Sequence, residues 1–240
     1  MTLIYRRFIK SSVRVTPNVY AEVGFTSLGP IFNVRMAISA ENKGLIIDGL
    51  DLTLRYEDGE IRELRWAGIA ETFSEITDNS GNKQVVSRDE SPIALKIGTE
   101  SLIEKFVRFQ ESRYHKADRP SIQNLLAHFN YLKQENPDQY VENTLKSKEL
   151  FSVLEIRQKS FWWKAGRYII ELKLRSPQKF DLSGSKFYFS LSESDIDLMR
   201  KNIKAIETEL RNIISSNLPD FQNQPLNWNW ASVDIHRCNN

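Results

Sequence analysis

Three stretches of this chain alternate apolar and polar residues with period two, and this pattern limits the possible folds more than any other feature. In the first, Val34, Met36, Ile38 and Ala40 alternate with Asn33, Arg35, Ala37 and Ser39. In the second, Leu50, Leu52, Leu54 and Tyr56 alternate with Asp51, Thr53 and Arg55. In the third, Tyr168, Ile170, Leu172 and Leu174 alternate with Arg167, Ile169, Glu171, Lys173 and Arg175. Successive side chains of a strand point to opposite faces, so each stretch reads as a half-buried antiparallel strand.

Turn chemistry lies between these runs. Gly29-Pro30 breaks the chain after Val19, Ala21, Val23 and Phe25, which form another alternating set. Glu41–Gly44 ends in a residue free to take positive φ. Asp58-Gly59 is a hairpin signal, with Ile61, Leu64 and Trp66 on the return strand. A turn at Asp78–Asn82 precedes the strands expected at Ile93–Ile97 and Ile103–Phe109. Residues 13–110 thus hold about seven short strands at sandwich-like spacing. Their order resembles an immunoglobulin-like antiparallel β-sandwich at the level of fold. The Cys…Trp…Cys signature of immunoglobulin domains is absent, so the resemblance implies no family function.

The composition changes after Glu111. Pro120-Ser121 is expected to open a helix, with Ile122, Leu125, Leu126, Phe129 and Leu132 forming one apolar stripe. Asn136-Pro137 ends it. A weaker helix is expected around Tyr140, Val141 and Leu145. Strands return at Phe151–Gln158, Arg167–Arg175 and Lys186–Leu191. A long helix closes the fold. Ser192 and Asp195 make a capping-box-like start. Ile196, Met199, Ile203, Ile206, Leu210 and Ile213 step by alternating threes and fours. That seam can dock a partner helix or cover a sheet of its own chain. The tail from Leu218 carries Leu226, Trp228 and Trp230 on alternate positions, a last strand or a docked arm. The expected fold is therefore mainly β with helical additions (α+β). Its units are a sandwich over 1–112, a helical connector over 113–150, a strand cluster with an amphipathic helix over 151–217, and a Trp-containing tail over 218–240.

Cys238 is the single cysteine and no Asn-x-Ser/Thr sequon occurs, which fits a reducing, cytoplasmic setting. No stretch approaches the roughly 20 apolar residues of a membrane span, so a soluble protein without membrane partners is expected.

The net charge is only +2, so any nucleic-acid reading must rest on a local patch. Residues 157–188 supply one. Eight Lys and Arg residues stand there against Glu171 and Asp181, with Phe161, Trp162 and Trp163 inside the window. Cations neutralise phosphates and rings stack on unpaired bases. The candidate contacts are Arg157, Lys159, Trp162, Trp163, Lys164, Arg167, Lys173 and Arg175. The alternative is a solvated sheet face with a tryptophan plugging the core.

A weaker pattern imitates a metal-dependent nuclease. Pro137-Asp138 and Glu171-Leu172-Lys173 carry the letters of a motif in which two carboxylates hold Mg²⁺ and a lysine positions water. Asp138, however, follows a helix break rather than sitting on a strand. His115, His128 and His236 lack metal-ligand spacing. No phosphate-binding glycine loop or nucleophile elbow is present, and no cofactor is expected. The leading expectation is a non-enzymatic protein-binding or scaffold protein. Its partner would engage the terminal helix or the Trp-containing tail. A nucleic-acid-binding accessory protein and a nuclease are the alternatives.

Overall fold

The computed structural model describes residues 10–77, 83–90 and 93–238. The turn expected at Asp78–Asn82 lies outside the described residues. The architecture is α+β and mainly strand, built on a curled half-barrel sheet.

The first segment supplies β1 (Ser11–Thr26), β2 (Gly29–Glu41), β3 (Leu45–Ile47), β4 (Gly49–Tyr56), β5 (Ile61–Thr77), β6 (Lys83–Glu90), β7 (Leu95–Ile97) and β8 (Ser101–Glu111). Three helices follow: α1 (Ser112–Glu135), α2 (Tyr140–Leu145) and α3 (Lys148–Lys159). Then come β9 (Gly166–Arg175), β10 (Phe180–Ser183), β11 (Lys186–Leu191), α4 (Glu193–Arg200), α5 (Asn202–Ser215), β12 (Ala231–Asp234) and β13 (His236–Arg237).

The immunoglobulin-like sandwich expected for the first hundred residues is not confirmed. Five of those strands follow one hydrogen-bonded path, β1-β2-β8-β5-β4, which runs on into β9, β11 and β13, while β6 pairs with β5 and β3 and β7 form a separate two-stranded sheet. The later strands therefore extend the first sheet. Leu50, Leu52 and Leu54 of β4 lie opposite Leu174, Leu172 and Ile170 of β9, and all six are buried. The alternation in the sequence had set these inward faces.

Two short strands stitch together β1 and β11, near the two ends of this path. β10 pairs parallel with the first half of β1, and β12 pairs antiparallel with its second half. The chain leaves β10 through Gly184, whose φ is +71°. A Cβ there would stand 2.1 Å from the Val15 carbonyl oxygen, so only glycine fits. At the other end β12 passes straight into β13, which pairs with β11.

The core is a cluster of large aromatic side chains. Phe25, Phe32, Phe109, Trp163, Phe187 and Phe189 are each nearly fully buried. Ile196, Met199 and Ile206 of the terminal helices join this core. A second, smaller core lies in the helical layer, where Leu125, Val141, Leu150, Val153, Leu210 and Ile214 meet.

Several local expectations are corrected. Residues 151–158, read as a strand, form part of α3. Ser147 caps that helix by accepting from the Leu150 N–H, and Leu150, Val153 and Arg157 are buried along one helical face. The segment carries both periods, and packing on α1 selects the helical one. α1 begins at Ser112, well before Pro120. An internal proline removes one backbone hydrogen bond. Burial of Tyr114 and Asp118 on the added turns offsets that loss. Val19 is exposed rather than aligned with Ala21 and Val23, because the β1–β2 register shifts between Pro17 and Ala21.

The terminal seam is interrupted at Lys201. The next residue, Asn202, is wholly buried. Its amide donates to the Phe25 and Asn229 carbonyls, and its side-chain oxygen accepts from the Asn229 backbone N–H. The tail is a docked arm. Trp228 is half-buried against the core, and the Trp230 ring lies where a side chain on Gly24 would be. No described helix is long and apolar enough to cross a membrane.

Candidate functional site

The eight residues singled out in 157–175 fall in three environments. Arg157 is buried in the helical layer. Its Nε and Nη2 donate to the two carboxylate oxygens of Asp118 at 3.0 and 3.1 Å. Burial pulls the guanidinium down, but the bond to Asp118 and the nearby Tyr114 and Glu209 outweigh it, holding Arg157 above its ordinary value. Trp163 is in the sheet core, where its indole N–H donates to the Gly24 carbonyl at 3.0 Å. Neither side chain faces solvent.

Lys159, Trp162 and Lys164 have local partners. Lys159 pairs with Glu155 one helical turn back, at 2.6 Å. The Trp162 indole donates to Glu111 at 2.8 Å, with Arg62 over its ring. Lys164 reaches Asp58 at 3.2 Å and Glu60 at 2.8 Å across the β4–β5 hairpin. The same loop is held by Tyr168, whose hydroxyl donates to the Lys164 carbonyl and accepts from the Lys164 N–H. Burial is the main cause lifting that phenol from 10.0 to about 12.

The raised Tyr168 value predicts an alkaline weakness. The neutral phenol is favoured in the folded state, so its stabilisation is complete below pH 10 and lost as pH rises toward 12. Urea midpoints measured from pH 9 to 12 should fall, and Tyr168→Phe should flatten that slope. An unchanged slope in the variant would remove Tyr168 as the cause.

Arg167, Lys173 and Arg175 stand together on the exposed face of β9. Arg175 pairs with Asp51 at 3.4 Å. Arg167 and Lys173 have no ion pair among the described residues. Beside them the register brings five outward residues into line. Ile61 of β5, Arg55 of β4, Ile169 of β9, Tyr188 of β11 and His236 of β13 form one row across five strands. Tyr188 and His236 stack with ring centroids 5.0 Å apart, and Arg167 lies 4.7 Å over the Tyr188 ring. Tyr188 and Arg55 were legible as outward positions of their strands. Their adjacency was not.

The three residues of the nuclease pattern fall on separate elements, with Glu171 and Lys173 on β9. Asp138 stands in the turn between α1 and α2. Glu171 lies opposite Thr53 and Lys186 on the outer sheet face, 3.9 Å from the Lys186 ammonium. Among the described residues no group of three His, Cys, Asp or Glu could hold a metal ion.

A second candidate lies in the helical layer. The apolar stripe of α1 turns Leu125 into the small core but leaves Leu126 more than half exposed. On α5, Leu210 and Ile214 are buried while Ile213 is 60% exposed. Between these helices opens a cleft of about 530 Å³, walled by Ile122, Leu126, Phe129 and Ile213. The Asp118–Arg157 pair also lines it, with His115, Glu209 and Leu28 of the β1–β2 turn. The volume is within the range of ligand sites, and an apolar lining with a few convergent polar groups is their usual chemistry.

The fold and these two surfaces define a mainly β, α+β protein with an apolar helical cleft and a basic, aromatic sheet face. Compared with known proteins, the chain matches no family model, no curated protein and no solved structure.

Proposed function

We propose that this is a non-enzymatic binding protein, and that the cleft between α1 and α5 takes an apolar helix of a partner protein. One observation carries this reading: both walls of the cleft turn aliphatic side chains outward, Leu126 from one helix and Ile213 from the other. Monomeric proteins rarely leave such residues gathered around a concavity without use. A groove between two helices suits an amphipathic helix that presents apolar anchors at i, i+3 or i+4, and i+7. Apart from Ile213, the terminal seam is a less suitable partner surface. Ile196, Met199, Ile206 and Leu210 are spent on the chain's own cores.

Display selection of helical peptides against the protein tests this. Enriched peptides should share the anchor spacing. They should also lose at least about tenfold in affinity for a Leu126→Glu/Ile213→Glu variant, since burying one aliphatic side chain is worth roughly 1.5–3 kcal/mol. Both side chains are exposed, so the variant's thermal unfolding should match the parent's. Enriched peptides that bind parent and variant equally would defeat the reading.

A further inference from the structure

We propose that the outer face of β4, β9 and β11 binds single-stranded nucleic acid. This is independent of the helical cleft.

On the outward positions of β5, β4, β9 and β11, six Lys and Arg face three carboxylates. Two of those cations are neutralised locally, Arg175 by Asp51 and Lys186 by Glu171. Arg55, Arg65, Arg167 and Lys173 carry no ion pair among the described residues. A polyanion complements this surplus, and the chain's near-neutral total makes it a local feature of the sheet. The opposing groups are Glu63 on β5 and Glu57 in the hairpin, whose carboxylate accepts from the Arg167 backbone N–H at 3.1 Å. Neither is bonded to the Arg167 side chain.

The rings choose among polyanions. Arg167, Tyr188 and His236 form a continuous stack across the sheet. His236 is exposed at its end, so an unpaired base can extend the stack there, while Ile169 flanks Tyr188 on the opposite side. Aromatic stacking on a sheet surface is a recurrent way of holding splayed bases. A broad sheet of four or more strands does not enter the major groove of a duplex, which admits a helix or a two-stranded ribbon. The surface therefore suits single strands.

The test is fluorescence anisotropy with labelled oligo-dT, oligo-U and a duplex of equal length, at low and moderate salt. Single strands should bind more tightly than the duplex, with affinity that falls steeply as salt rises. Arg167→Glu/Lys173→Glu should weaken binding by tenfold or more. Tyr188→Ala/His236→Ala should weaken it by roughly tenfold, as loss of a base stack does. Leu126→Glu/Ile213→Glu should leave it unchanged, which separates this site from the cleft. The oligo-dT and oligo-U arms distinguish DNA from RNA. Absence of salt-dependent binding, or binding that survives both sheet-face variants, would overturn the proposal. Heparin binding as tight as oligo-dT with no effect of the ring substitutions would do so as well, by showing a general polyanion surface.

Discussion

Asp118→Ala is expected to cost about 3–5 kcal/mol of folding stability, read as a shift of the urea midpoint at constant slope. The Arg157 and Asp118 side chains are only 9% and 12% exposed, and both guanidinium–carboxylate contacts are direct. Removing the carboxylate leaves a desolvated guanidinium with no anion bonded to it. Nearby Glu209 raises the Arg157 value through space, and no hydrogen bond joins the two. The paired substitution Asp118→Leu/Arg157→Met should recover most of the loss, because two apolar side chains need no partner. The pair ties α1 to α3 beneath the cleft, so Asp118→Ala should also weaken peptide binding there. A loss below about 1 kcal/mol in the single variant would mean that water reaches the pair and screens it.

Deletion of residues 231–240 is expected to abolish cooperative folding. Ala231, Val233 and Ile235 are buried, and each Val or Ile contributes roughly 1.5–3 kcal/mol by leaving water. The deletion also strips β1 from Tyr20 to Val23 and β11 at Phe187 and Tyr188 of their partners. Exposed strand edges are templates for association. The shortened protein should therefore elute as soluble aggregate and lose its near-ultraviolet circular dichroism. A monomer that melts cooperatively near the parent's temperature would show that β1 and β11 hold without this strap. A pull-down with the whole tail removed would consequently confound partner binding with folding.

Much of the sheet was legible along the chain. The alternation in 34–40, 50–56 and 168–174 assigned the buried faces of β2, β4 and β9 correctly, because strand side chains alternate whatever the neighbouring strand is. The helical stripe of Ile122, Leu125, Leu126 and Phe129 was legible on the same ground. Residues 151–158 were misread, since a short apolar run carries both periods and only the capping of Ser147 and packing on α1 decide between them. The basic window was visible as composition. Its cations nonetheless separate, because a strand sends neighbours to opposite faces while a helix buries one side.

The sequence by itself determined which side of β2, β4 and β9 would leave water, that a hairpin turns at Asp58-Gly59, and that basic side chains gather in the third quarter of the chain. Those properties depend on neighbours a few residues away. The tertiary structure alone decided that β4 pairs with β9, that Asp118 neutralises Arg157, that Asn202 ties the tail to β1, and that Arg55, Tyr188 and His236 share a row with Ile169. Each of these joins residues tens to nearly two hundred positions apart. Such pairings are selected by burial and hydrogen bonding across the whole molecule, which no local pattern records.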